Sequence, residues 1–438
     1  MNRDLLITKH PERAIYPQVA VAHLGSRWNY DMPVILEKMG VLTHFYTDAY
    51  CGQGSWLAPL RGLPQVLTTS ALRRLQARSR QELPPGKVTA FNRLGIEFNL
   101  RYSRVKDTAD RLQLFLEINQ RFNQLMIDHG LPTEANILFS MNTASLELFE
   151  SLQGTSIKRI MDQNIVPMQV ESAVLAEEYD RWAGWSIDDY QDWYDSPIFH
   201  QWIEREKREW ELADRILCAS PRTAAALQSC GVPKTKCEVI PYPVNCQQYT
   251  IDRRSRGSSP LRILFAGQAN LRKGIPYFLQ MLQRLHRDSF EARVVGAIQL
   301  NPEILARYSD LCSFTGTVPR NQMMNHYAWA DVFVFPSLCD SAPGVTNEAL
   351  AAGLPVITTE GAGTIVENGV NGWILVDRDV DALVDCVERL NRDRNLLAQM
   401  SHNAASQASN IDLVAYGNQF RQACESLLLP NFQEHCVR

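Results

Sequence analysis

Short apolar runs alternate with stretches of helical spacing along most of the chain, and this alternation sets the expected fold class. Gln18 to Leu24 (QVAVAHL) predicts a buried strand, followed by Gly25-Ser26-Arg27, a helix from Tyr30 to Met39 ending at Gly40, and a second strand from Leu42 to Thr47. Apolar residues three and four apart from Asp107 to His129 predict a long helix stopped by Gly130. Asn136–Ser140, Ile157–Met161 and Arg215–Cys218 read as further strands, with helices over Thr143–Ser151 and within Val170–Ala213. A second series starts at LRILFAG (261–267). It continues through ARVVGA (292–297), SFTG (313–316), the strand Asp331–Pro336, PVITT (355–359) and WILV (373–376), with a helix between most successive pairs. Such strand–helix alternation implies parallel sheets covered on both faces.

The polar, turn-rich run Asp252–Pro260 (DRRSRGSSP) separates the two series and reads as a linker. The expected architecture is therefore α/β, with two Rossmann-like parallel-sheet domains facing each other across a cleft. Residues 1–250 form the first and 251–410 the second. A chain of 438 residues is too long for one ordinary core, which agrees with two domains. With 45% apolar and 21% charged residues the composition is that of a globular protein, and a formal charge of −4 argues against a globally basic nucleic-acid binder. Ten cysteines are scattered without a Cys-x-x-Cys pair, as expected of reduced thiols. No run approaches the ~18 apolar residues of a membrane span, and MNRDLLITKHPER lacks the apolar core of a secretory signal. The expected location is cytoplasmic, with room for peripheral contact with the inner face of the membrane.

That room comes from one segment. Between Arg61 and Arg111, eleven basic side chains stand against Glu82, Glu97, Asp107 and Asp110, interleaved with Trp56, Leu57, Leu60, Leu63, Val66, Leu67, Leu72 and Leu75. Residues 56–111 could lie on an anionic bilayer, cradle an anionic acceptor, or form a solvated helical face. No nucleic-acid recognition module accompanies the charge. Tryptophans 182, 185, 193, 202 and 210 follow; aromatic spacing along helices predicts core, with ring stacking on a sugar as the alternative.

The candidate chemistry lies mainly in the second series. In DVFVFPSLCDSAPGVTNE (331–348), a strand ends at Pro336, Pro343–Gly344 breaks the chain, and a helix is predicted from Thr346 to a stop at Gly353. Free N–H groups at a helix start favour an anion. Asp340 and Glu348 flank that place as acceptors for hydroxyl groups, a pattern that suits a nucleotide sugar. GQANLRKG (267–274) also joins a strand to a helix, and its Arg272 and Lys273 can neutralise a diphosphate whose charge grows as a glycosidic bond breaks. Gly25, directly after the first strand, lets backbone approach a ligand, though such loops also need glycine for geometry alone. Asp162-Gln163-Asn164 is a polar trio at a strand end, where α/β sheets place ligands.

GQANLRKG (267–274), PSLCDSAPGVTNEALAAGLPVI (336–357) and VENGVNGWILV (366–376) resemble the motifs of retaining glycosyltransferase family 4, the glycosyl transferases group 1 of GT-B fold. ADRILCASPRT (213–223) and VIPYPVN (239–245) extend the likeness upstream, while residues 50–210 match only in layout. The resemblance implies a hexosyl or glycosyl transferase of polysaccharide or glycolipid biosynthesis. It would move a sugar from a nucleotide-sugar donor to a sugar, lipid-linked or other hydroxyl acceptor, with retention and without added metal or other cofactor. By that likeness Lys273 contacts the donor diphosphate, with Gln268 standing where the family usually has Arg and Arg272 as a compensating charge. Asp340 takes the sugar-facing acidic position. Pro343, Gly344, Val345 and Thr346 line the backbone cradle, Glu348 accepts the ribose hydroxyls, and Gly25 sits at the diphosphate from the opposite domain. The acceptor binds the first domain, and residues 411–438 pack back on it.

Three departures accompany the likeness. Asp340 is one methylene shorter than the family Glu; Gln268 removes a charge; and Asp162 would occupy the place of a family His near the reacting sugar, with His23 as a second candidate. Asp377, Asp379 and Asp381 look like a metal-binding Asp-x-Asp, but their position before a helix fits an N-cap better. Two other readings stay open: a nucleotide-sugar epimerase of similar shape, and a non-catalytic nucleotide-sugar binder.

Overall fold

Two parallel sheets build the protein, seen in a computed structural model that describes residues 16–63, 70–105, 107–187, 196–249, 251 and 260–429. The first contains β1 (Val19–His23), β2 (Leu42–Thr47), β3 (Val88–Ala90), β4 (Ile137–Met141), β5 (Lys158–Gln163), β6 (Arg215–Cys218) and β7 (Cys237–Val239), in the order β3-β2-β1-β4-β5-β6-β7. The second contains β8 (Leu261–Ala266), β9 (Phe290–Val295), β10 (Ser313–Gly316), β11 (Val332–Phe335), β12 (Val356–Thr359) and β13 (Gly372–Leu375), in the order β10-β9-β8-β11-β12-β13. This is the α/β, Rossmann-like pair that the strand–helix alternation implies. β1, β4 and β11 are buried along their whole length, because helices cover both faces of a central parallel strand. β3 and β7 are not predicted by the pattern. Each is three residues long, at a sheet edge and partly exposed, so no apolar run marks it.

In each sheet the strand order reverses once, between β1 and β4 and between β8 and β11. The loops after β1, β8 and β11 open at the strands' carboxyl ends beside these reversals, where doubly wound sheets bind ligands.

Two elements tie the halves together. The helix Met168–Arg181 and the chain to Ile187 lean on the second sheet: Val174, Tyr179, Trp182 and Trp185 pack into its core, and the Trp185 carbonyl accepts from Asn301 N at 2.8 Å. Buried Glu178 accepts from Tyr277 Oη (2.7 Å) and Arg378 Nε (2.6 Å). The C-terminal helix Leu413–Leu428 lies on the first domain, with Tyr416 and Phe420 in its core and Gly417 against Ile35 and Met39. Trp202 and Trp210 are buried in the first domain, so these four tryptophans are core residues. Trp193, Val66, Leu67, Lys106 and linker residues 252–259 lie outside the described residues.

The basic segment is less bare than its own sequence implies, because most of its partners come from elsewhere. Arg78 pairs with Asp48 (2.8 Å), Arg80 with Asp31 and Glu82, Lys87 with Glu37 (2.7 Å) and Arg101 with Glu117 (2.6 Å). Among the described residues Arg61, Arg73, Arg74, Arg93 and Arg104 form no ion pair, and Trp56 and Leu63 are exposed beside them in sequence. No described helix is long and apolar enough to cross a membrane.

Candidate active site

The loops after β8 and β11 are built against each other. The carbonyl of Arg272 accepts from Leu338 N (3.0 Å) and from the Ser337 hydroxyl (3.3 Å). Gly274 sits at φ +69°, and a Cβ there would lie 1.8 Å from the Pro336 carbonyl oxygen. Only glycine allows that approach. The result brings Lys273 Nζ onto Asp340 Oδ2, the oxygen that also accepts from Ser337 Oγ at 3.3 Å. Arg272 Nη1 stands 3.8 Å from Asp340 Oδ1. Lys273 and Asp340 are each only 9% exposed. Burial lowers the Lys273 pKa, opposed by the attraction of Asp340.

From Asp340 the chain runs into the helix Gly344–Ala351, which begins two residues earlier than its sequence suggests because Pro343 serves as N-cap. That end has no side-chain cap, and Gly344 is exposed with open space where a Cβ would be. Thr346 turns inward, donating from both N and Oγ1 to the Pro343 carbonyl (3.0 and 2.7 Å). Pro343 is buried and Val345 partly so. In the same helix, Glu348 is aimed by the buried Tyr327, whose hydroxyl donates to Oε2 at 2.9 Å, with Arg320 at 3.5 Å from Oε1. Gln268 is exposed, next to Ala269, which is buried.

The first domain meets this site through β5 and the chain after it. Ser341 Oγ donates to the Asn164 carbonyl at 2.6 Å, while the Ser341 carbonyl accepts from the hydroxyls of Ser220 and Thr223. Asn164 also accepts from Arg27, in the loop after β1. Asp162 is buried at the end of β5, where both carboxyl oxygens accept from Tyr242 Oη (3.1 and 3.0 Å). Burial pushes its pKa up to about 7, against that hydrogen bond and the positive charge of Arg27. Asp162 does not touch Lys273 or Asp340. Its link to the helix Gly344–Ala351 runs through Tyr242, whose carbonyl accepts from Asn347 Nδ2 at 3.0 Å.

Gly25 adopts φ +82°, and its N–H donates to Asp48 Oδ1 at 2.8 Å, with open space on its Cβ side. His23 is fully buried, edge-on to Tyr30 and Phe45, and neither ring nitrogen has a hydrogen-bond partner among the described residues. Burial, with Arg27 and Arg78 nearby, pushes it down to about 3, so it is a neutral core side chain. Gln163 holds Trp210 Nε1 (2.9 Å) and is structural. The three aspartates after β13 are separately engaged: Asp377 by Gly361 N, Asp379 as the N-cap of Val380–Arg392, and Asp381 by Arg284.

Sequence reasoning missed Glu171. It sits in the first turn of Met168–Arg181, on the first-domain side, with a carboxyl oxygen 3.9 Å from Arg272 Nε. Nothing in an amphipathic helix with several acids singles it out. Tyr242, Ser220 and Thr223 fall in stretches where only the resemblance gave a signal.

Residues 260–393 match the family described as Glycosyl transferases group 1. In sequence, the chain is similar to the amylovoran biosynthesis glycosyltransferase AmsK of Erwinia amylovora, 25% identical over 177 residues, which are 37% of this chain and 44% of that protein. The chain spans about half the length of the curated relatives it matches. In fold, it is similar to a sucrose-phosphate synthase from Thermosynechococcus elongatus at a TM-score of 0.60 and 16% identity, over 94% of this chain and 99% of that one. It is similar also to Anabaena HepE in complex with UDP and glucose, at 0.57 and 12%, over 94% and 100%. The two-sheet architecture is therefore that of GT-B glycosyltransferase structures.

Proposed function

We propose that the protein is a glycosyltransferase that moves a sugar from a nucleotide-sugar donor to a hydroxyl of a sugar or lipid-linked acceptor, with retention and without a metal ion. The observation that carries this reading is the contact of Lys273 with Asp340 at the mouth of β8 and β11, next to an uncapped helix start. Lys273 and Arg272 meet the diphosphate, and the N–H groups of Gly344 and Val345 at the helix start add positive potential. Asp340 accepts from the sugar and Glu348 from the ribose hydroxyls, since a carboxylate can bind a diol with both oxygens. Gly25, Gln268, Pro343 and Thr346 shape the surrounding walls. Asp162, buried at the end of β5 and held by Tyr242, backs the reacting sugar from the first domain. The UDP and glucose bound by HepE support this donor class.

As the glycosidic bond breaks, charge grows on the leaving diphosphate. Lys273 is buried next to that position, where a fixed cation stabilises a developing anion by about 2–4 kcal/mol. Closure of the two domains excludes water, so transfer outcompetes hydrolysis. The test is incubation with UDP-, GDP- and ADP-sugars and a panel of sugar and lipid acceptors, with and without EDTA, and determination of product anomeric configuration. A retained linkage formed equally in EDTA is expected. Inverted product or an EDTA-abolished reaction refutes the corresponding part, and conversion of donor without acceptor would make the protein an epimerase.

A further inference from the structure

Four charged groups meet at the seam between the domains. Lys273 touches Asp340, and Arg272 spans the gap, 3.8 Å from Asp340 on its own domain and 3.9 Å from Glu171 on the Met168–Arg181 helix. Arg272 is held there by its Nη1 donating to the Cys339 carbonyl at 3.2 Å. Side chains of Arg272 and Glu171 keep only about a quarter of their surface (25% and 23%). The quartet is neutral: two cations, two carboxylates. A nucleotide sugar's diphosphate carries two negative charges, so its arrival takes up both cations and leaves both carboxylates without a counter-ion. Asp340 is placed to exchange its cation for sugar hydroxyls. Glu171 has no such substitute: Arg272, Lys273 and Asp340 act on it, and buried Glu206 adds a further carboxyl rather than a donor.

We propose that Glu171 is a positioning residue that pairs with Arg272 in the place the donor diphosphate takes, holding Arg272 across the seam until the donor displaces it. The inference rests on the donor-site reading above and adds a consequence: donor binding loosens a tie between the domains, and Glu171 weakens donor affinity while keeping Arg272 in place. Like charges several ångströms apart in a partly desolvated site repel enough to change affinity severalfold.

Calorimetric titration of UDP-glucose, GDP-mannose and ADP-glucose into wild type, Glu171→Gln, Arg272→Ala and the double variant tests it. Glu171→Gln should bind the preferred donor about three- to tenfold more tightly. In the Arg272→Ala background the same change should have a smaller effect, because the group it acts through is gone. A purely structural role would lower the melting temperature and would not tighten binding. Unchanged or weaker binding by a folded Glu171→Gln variant overturns the proposal, as does an equal effect in both backgrounds. If wild type binds none of the three nucleotide sugars, the donor-site reading fails and this inference fails with it.

Discussion

Asp162→Asn isolates a strongly perturbed carboxyl at the seam. In the folded protein its pKa is about 7, against a usual aspartate value of about 4. Below pH ~4 the residue is protonated in both folded and unfolded chains and makes no difference to stability. Between about pH 4 and 7 the unfolded chain ionises first, so it binds fewer protons than the folded one and stability falls as pH rises. Above pH ~7 both forms are charged and the penalty is constant. At about 1.4 kcal/mol per pH unit, the full penalty is on the order of 4 kcal/mol, and about 3 kcal/mol of it develops between pH 5 and 8. Asparagine keeps an acceptor for Tyr242 Oη but has no charge to desolvate. Paired thermal melts at pH 5 and pH 8 read the difference: the variant should gain on wild type at the higher pH, by roughly 2–4 °C per kcal/mol. If Asp162 also faces the sugar, kcat/KM of wild type should inflect near pH 7 and that inflection should vanish in the variant. A gap between the two proteins that is the same at both pH values would refute the argument.

Gly274→Ala should lower the melting temperature and weaken donor binding more than tenfold, because the Pro336 carbonyl must move and Lys273 with it; wild-type-like binding in titration would show that the two loops adapt. Tyr327→Phe removes the hydroxyl that aims Glu348, and should raise the donor KM about three- to tenfold with little change in kcat or melting temperature. For the unpaired arginines and exposed Trp56, flotation with liposomes should succeed with anionic lipid and fail with neutral lipid; equal flotation in both would defeat an electrostatic contact.

The parts of this account that were legible in the sequence are those fixed by local pattern. VFVF before Pro336, and LRILFA before a Gly-rich loop, announce buried parallel strands and the positions of Lys273 and Asp340. What the sequence hides depends on long-range meetings. Asp162 draws its hydrogen bond from Tyr242, eighty positions away, and Arg78, Lys87 and Arg101 find acids that a count within their own segment overlooks. Glu171 shares a helix with Glu177 and Glu178, and only the folded chain shows that it faces Arg272 while Glu178 is clamped by Tyr277 and Arg378. Edge strands of three residues bury too little to leave a mark.

The central claim is that a nucleotide sugar docks at the second domain on Lys273, and a thermal-shift panel of UDP, GDP, ADP and their sugars reads it directly. One nucleotide and its sugar should stabilise the wild type, by about 2.7 kcal/mol at a hundredfold excess over Kd. Lys273→Ala, folded to the same far-ultraviolet spectrum, should lose most of that shift. A wild type that responds to none of them, or a Lys273→Ala variant that responds as strongly, would contradict it.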